Sequence, residues 1–187
     1  MSLIAADGTR KYLSAGERQR FLTSIPVLEE PVAETYCELL FWTGCRPSEA
    51  LALTAAQVDR EDGTIILCTS KKRGAEKGRH FRQVPVPGAF IERLRSVHNL
   101  EAGQSQLWRF SRSTAWRLVN RVMRAARLTG IKASAKGLRH SYGVNAALAA
   151  VPETRIKKWL GHASLTTTEI YLDMAGPEDR ALAERMW

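Results

Sequence analysis

Six side chains in this sequence combine into one kind of chemistry: Arg46, Lys71, Lys136, Arg139, His162 and Tyr171. Two guanidiniums suit the non-bridging oxygens of a phosphate, because their planar forks bind bidentately and stay charged. A lysine can donate a proton to a leaving oxygen. A phenol, with an ordinary pKa of about 10, becomes a nucleophile once it is relieved of its proton. No carboxylate cluster with the character of a Mg²⁺ site accompanies them, so neither a metal nor another cofactor is expected. Charge in a phosphoryl-transfer transition state would then be neutralised by the side chains themselves.

Most of this set lies between Lys136 and Tyr171, in KGLRHSYGVNAALAAVPETRIKKWLGHASLTTTEIY. Leu138, Tyr142 and Leu148 recur at roughly helical spacing, which predicts a helix from about 137 to 149 with Arg139 near its start. Pro152 suits the first turn of a following helix, which runs through Ile156 and Leu160 and stops at Gly161. His162 then sits just past a helix end. Thr166 and Glu169 have capping-box spacing and would start another helix with Tyr171 early on it. A cation, an imidazole and a phenol thus stand on three elements, each at or near a helix end that is rigid enough to aim it.

The first arginine belongs to TGCRPSEALAL, where Pro47 fits the first turn of a helix and Arg46 marks its N-terminal boundary. A cation there opposes the helix dipole, so Arg46 is positioned for something anionic, with Glu49 three residues on to hold it. The alternative is an ordinary surface Arg–Glu pair of little energetic value. The lysine belongs to SKKRGAEKGRHF, a glycine-punctuated basic hairpin between the strand-like runs TIILC and RQVPVP, with Pro85 marking an edge or bulge. Lys71, Lys72, Arg73, Lys77 and Arg79 stand there against Glu76 alone, either as a loop that closes over phosphate or as a solvated turn.

Other elements support these. Ser14 and Glu17 have capping-box spacing ahead of a short helix through Phe21 and Ile25. Pro26 and Pro31 bracket a loop. A buried helix from about Val32 carries Tyr36, Leu39, Leu40 and Phe41 and ends near Gly44. Phe90 to Leu100 reads as a further helix. Ser113 would cap a long one through Leu128, with Trp116, Val119, Met123 and Ala126 as its apolar stripe and Arg117, Arg121 and Arg124 on another face. Like charges at that spacing repel, so the arginines fit best against phosphates, and a helix of this width fits a DNA major groove.

Charge supports a polyanionic partner. From Ala102 to Pro152 there is no Asp or Glu, while nine Lys or Arg fall in that window. Removing those nine from the 28 basic residues leaves the rest balanced against 19 acidic ones. A field of one sign in one part of the chain is the footprint of nucleic-acid binding, against the plainer reading of a solvated basic face. At 187 residues the chain forms one domain with a real core. No apolar run reaches a membrane span, and no signal-peptide h-region opens it, so a cytoplasmic protein is expected. Cys37, Cys45 and Cys68 lack metal-ligand spacing and read as reduced thiols. Residues 1–12 show no periodicity and are expected to be frayed.

Four blocks in order, TGCRPSEAL, the hairpin lysine, GLRHSYG and LGHASLTTTEIY, resemble the catalytic domain of the tyrosine recombinases, the phage-integrase and Xer-type enzymes. The most specific is the last, with Tyr171 nine residues after His162 and threonines between. The resemblance covers roughly 13–187 and implies a mainly α-helical α+β fold, with a small three-stranded antiparallel sheet carrying the basic hairpin. It implies that Arg46 and Arg139 bind the scissile phosphate, with Glu49 supporting the first. Lys71, or adjacent Lys72, would protonate the 5′-oxygen leaving group, and His162 would assist at a non-bridging oxygen. Tyr171 would form a 3′-phosphotyrosyl link, without metal or ATP, in a tetramer on double-stranded DNA.

Two departures stand out. The family usually has histidine three residues before the second arginine, where this chain has Lys136, a residue able to act as base if neighbouring cations lower its pKa. The family's N-terminal helical domain is also missing from this sequence, as in a catalytic-domain fragment or a short member. Apolar Met186 and Trp187 would pack against a neighbouring subunit or back into the chain's own cleft. Two rival functions are a type IB topoisomerase-like enzyme and a non-catalytic DNA-binding protein that kept the fold. A general RNA-binding module would show exposed aromatics among its basic residues, and the spacing instead assigns Trp116 to the apolar stripe. His80 and His140 read as structural or surface residues.

Overall fold

The helix-start and helix-stop signals define most of the architecture. In the computed structural model, which describes residues 2–70, 78–162, 168, 170, 171, 183, 184 and 186, Ser14 and Glu17 form the expected capping box of α1 (Ala15–Ser24). Pro31 sits in the first turn of α2 (Pro31–Thr43), and Gly44 closes that helix in the left-handed conformation at φ 59°. Pro26 departs from the expected loop: it opens a short 3-10 turn, Ile25–Leu28, whose Ile25 and Leu28 are buried.

After α3 (Pro47–Leu51) the chain builds one antiparallel sheet in the order β1 (Val58–Asp59), β2 (Thr64–Ser70), β3 (Arg79–Pro85). β2 pairs with β3 from Thr64 opposite Pro85 to Ser70 opposite Arg79, so the basic segment is the hairpin connection between them. β3 is an edge strand, which tolerates Pro85 because the missing N–H costs no ladder bond on the open side. Helices α4 (Gly88–Val97), α5 (Arg112–Ala125), α6 (Ala135–Leu148) and α7 (Glu153–Leu160) complete the described α-helices.

Helix α2 is the centre of the core. Tyr36, Cys37, Leu39, Leu40 and Phe41 are all buried, and α1, α4, α5 and α6 pack around them. The Trp108 indole N–H donates to the Val32 carbonyl at 2.9 Å, tying the segment before α5 to α2. All three cysteines are free, with Cys37 and Cys45 buried in this core. A second apolar cluster, Leu3, Val144, Ala146, Ile156, Leu160 and Tyr171, joins the N-terminal segment to α6 and α7.

That cluster corrects the expectation of a frayed N-terminus. Leu3 is buried, Ile4 and Arg10 pair as a bridge, and the Leu13 amide donates to Ser141 Oγ at 2.6 Å. An apolar side chain three residues from the start, without periodicity around it, gives no local signal; its partners lie on α6 and α7. Helix α5 brings two more corrections. Ser111, not Ser113, caps it by accepting from the Thr114 amide, and its buried face is Ala115, Val119, Val122 and Met123. Trp116 is 63% exposed. Among the described residues, no helix is long and apolar enough to cross a membrane.

Candidate active site

Arg46 enters the site by local means. It is the N-cap of α3, its backbone N–H donates to Glu49 Oε2 at 2.9 Å, and its guanidinium donates to Glu49 Oε1 at 3.0 Å. The pairing expected from the spacing is present, and the Arg46 side chain remains 43% exposed, open to a ligand. Glu49 itself is buried and has a stronger partner. Arg82 on β3 donates to both carboxylate oxygens, at 3.2 and 2.6 Å, and Thr69 on β2 donates a third bond at 2.6 Å. Burial favours the neutral acid, but the Arg82 hydrogen bonds and charge outweigh it, and the carboxyl is pulled down to about 2.

Arg82 also donates from Nε to the Trp159 carbonyl at 2.8 Å. One buried guanidinium therefore joins the sheet, the start of α3 and the end of α7. Sequence reasoning passes over it, because RQVPVP reads only as a strand. The signal was available: Val84 and Arg82 are two residues apart and share a strand face, so a core-facing valine places a cation on the core side.

Arg139 is held from two sides. Its guanidinium donates to the Gly44 carbonyl at 2.8 Å and to the Leu160 carbonyl at 2.6 Å, which are orphan acceptors at the ends of α2 and α7. Gly44 is required twice over: a Cβ there would lie 2.8 Å from Tyr142 of α6, and φ is positive. Burial, then the charge of Arg46, lowers the Arg139 pKa to about 10, which leaves it charged at neutral pH.

His162 follows Gly161, whose left-handed turn ends α7 as expected. Its Nδ1 lies 3.0 Å from Thr168 Oγ1, and its ring stacks on Tyr171 with centroids 6.0 Å apart. Burial first, then Arg139 and Arg46, pushes the imidazole down to about 4, so it is neutral at pH 7. Tyr171 is buried in a slot on α6: a Cβ on Gly143 would come within 2.6 Å of its ring. Burial raises the phenol pKa, while Arg139 and Arg46 pull it down.

Arg46, Lys136, Arg139, His162 and Tyr171 line one cleft of about 500 Å³, together with Arg112 and His140. Lys136 stands exposed at its rim. His140, expected to be structural, has Nδ1 3.2 Å from Tyr171 Oη. Lys71, Lys72, Arg73 and Lys77 lie outside the described residues, as do Thr166, Glu169 and Trp187; Arg79 is described as part of β3 by its backbone alone. Arg117, Arg121 and Arg124 are exposed along α5, apart from the cleft lining, and Arg121 approaches Glu29 at 3.8 Å. Met186 is exposed. Among the described residues, no group of three His, Cys, Asp or Glu is placed to hold a metal ion.

A mainly helical domain with two arginines, an imidazole and a phenol on one cleft defines a class, and comparison with known proteins agrees. Residues 12–176 match the phage integrase family, and the chain belongs to it. It is 27% identical over 157 residues to tyrosine recombinase XerA of Pyrococcus furiosus, covering 79% of this chain and 52% of that one. The XerH site-specific recombinase bound to a palindromic difH substrate superposes with TM-score 0.73 at 23% identity, over 100% of this chain and 56% of the other. The catalytic domain of bacteriophage HP1 integrase superposes with TM-score 0.68 at 20% identity, covering 93% of each chain. The chain has the tyrosine-recombinase catalytic fold and spans about half the length of the curated relatives it matches.

Proposed function

We propose that this chain cuts and rejoins DNA strands as the catalytic domain of a site-specific recombinase, through a 3′-phosphotyrosyl intermediate and without ATP. The observation that carries this is the shared cleft, where Arg46, Arg139, His162 and buried Tyr171 meet. In this reading the arginines hold the non-bridging oxygens of the scissile phosphate and His162 donates a hydrogen bond to one of them. Tyr171 attacks phosphorus, and Lys71 or Lys72 of the hairpin protonates the departing 5′-oxygen. Glu49, locked by Arg82, keeps Arg46 in place. Lys136 at the rim contributes positive charge to the phosphate or relays a proton.

Duplex DNA is the partner. Lys72, Arg73, Lys77 and Arg79 of the hairpin grip its backbone from one side, and Arg117, Arg121 and Arg124 from α5. The active assembly is a tetramer on two duplexes, in the cytoplasm at the nucleoid. A nicked duplex carrying a site selected by binding from a random library tests the chemistry. The wild-type protein becomes covalently attached through a 3′-phosphotyrosine in the presence of EDTA. Tyr171→Phe binds with nearly unchanged affinity, because binding is dominated by phosphate contacts, and forms no adduct. An adduct in the phenylalanine variant refutes the assignment.

A further inference from the structure

His140 has no part in the phosphate grip, yet among the described residues it is in hydrogen-bonding contact with the Tyr171 hydroxyl. Nδ1 and Oη are 3.2 Å apart, the ring centroids are 6.2 Å apart, and both side chains are buried. His140 lines the same cleft as the two arginines, one residue beyond Arg139 on α6. Lys136, three residues before Arg139 at the position expected to supply a proton acceptor, is exposed at the rim.

We propose that His140 is a catalytic residue, the base that receives the Tyr171 proton during attack; this rests on the recombinase reading above. As an Oη lone pair forms the bond to phosphorus, the Oη–H proton passes to the free electron pair on Nδ1, while Nε2 keeps its own hydrogen. The P–O5′ bond breaks, and the 5′-oxygen takes a proton from the hairpin lysine. On rejoining, the incoming 5′-hydroxyl gives its proton to that lysine and displaces the phenolate, which recovers its proton from the imidazolium. Protons and charge balance over the cycle.

The surroundings also couple this transfer to substrate. Burial, then Lys136 and Arg139 on its own helix and Lys11 from the N-terminal segment, holds His140 down at about 4. His162 faces it across Tyr171 and is likewise neutral at pH 7. A phosphodiester bound at Arg46 and Arg139 brings a negative charge into this ring of cations. It offsets part of the repulsion that disfavours an imidazolium, so His140 becomes a better base when the phosphate is in place. An empty site leaves the phenol protonated.

Single-turnover adduct formation on the nicked duplex, followed from pH 4 to 8, tests this in the full chain. Asparagine at 140 keeps a polar group near Oη but cannot take up the proton. His140→Asn and His140→Ala are expected to bind DNA like the wild type and to cleave about 10²- to 10⁴-fold more slowly, the usual range for general base catalysis. The wild-type rate should fall toward low pH, and part of that fall should vanish in His140→Asn; losing His140 also removes one of the charges that lower His162, so the part of the fall set by His162 moves to higher pH and does not vanish. Circular dichroism confirms that the variants fold, and misfolding of His140→Ala leaves His140→Asn to decide. A His140→Asn rate within threefold of wild type overturns the proposal. So does a slow rate with an unchanged pH profile, which would make His140 a structural support. A faster rate also overturns it, because the hydrogen bond would then be a clasp that holds the nucleophile idle. Failure of the wild-type protein to form a 3′ adduct refutes the recombinase reading instead.

Discussion

Glu49→Gln isolates the ion pair on which the site is mounted. The substitution keeps the size and one acceptor oxygen, turns the other oxygen into an N–H donor facing Arg46 and Arg82, and removes the charge that faces Arg82, whose side chain is 6% exposed. The wild-type carboxyl sits at about 2 against an ordinary 4.5, a difference of about 3 kcal/mol at about 1.4 kcal/mol per tenfold change in proton affinity. Removing one partner of a buried pair costs about 3–5 kcal/mol, because the other charge is left uncompensated, so the two routes agree. For a chain of 187 residues that corresponds to a melting point lower by about 6–12 °C. The sign of the pH dependence follows from the depressed value. The unfolded carboxyl binds protons more tightly than the folded one, so the contribution is complete above pH 4.5 and disappears as pH falls through about 2. Urea denaturation of wild type and Glu49→Gln at pH 7, and then at steps down to pH 2, reads the gap directly. Acid unfolding driven by other carboxyls is common to both proteins and cancels. A gap below about 1 kcal/mol at pH 7, the size of an exposed pair, refutes the buried-pair account. So does a gap that stays constant to the lowest pH.

Two further outcomes test the seat of the phenol and the DNA-facing surface. Gly143→Ala adds a methyl within 2.6 Å of the Tyr171 ring; the helix tolerates alanine, but the displaced phenol should form adduct about 10²-fold more slowly. A wild-type rate in that variant would show that the slot does not position Tyr171. Charge reversal at Arg117, Arg121 and Arg124, all exposed on α5, should flatten the salt dependence of DNA affinity by about 0.9 in log–log slope for each phosphate no longer neutralised. A filter-binding titration with an unchanged slope would move the DNA face elsewhere.

Local chemistry was legible in the sequence. Ser14 with Glu17, Pro47 with Glu49, and Gly161 before His162 specify helix ends through interactions within a few residues, and the structure has each of them. The residue types of the site were legible for the same reason: Arg46, Arg139, His162 and Tyr171 carry their chemistry in their side chains and lie in short motifs. Helical periodicity was less decisive on α5, where Trp116 and Val119 both satisfied an apolar stripe. A stripe drawn one position off turns the wrong aromatic inward, and only packing against α2 and the 3-10 turn at Ile25–Leu28 selects Ala115, Val119, Val122 and Met123.

What tertiary structure decided is which distant groups meet. Leu3 gains its value from Val144 and Ile156, more than a hundred residues away, and no local pattern marks it. Arg82 reaches Glu49 across 33 residues of sequence, and His140 reaches Tyr171 across 31. An isolated arginine on a strand or histidine on a helix is soluble and unremarkable by itself. Burial removes water as the alternative partner, so the carboxylate or hydroxyl within reach sets the protonation and orientation of each. That selection depends on the packing of β3 against α7 and of α6 around Tyr171, which the order of residues along the chain does not display.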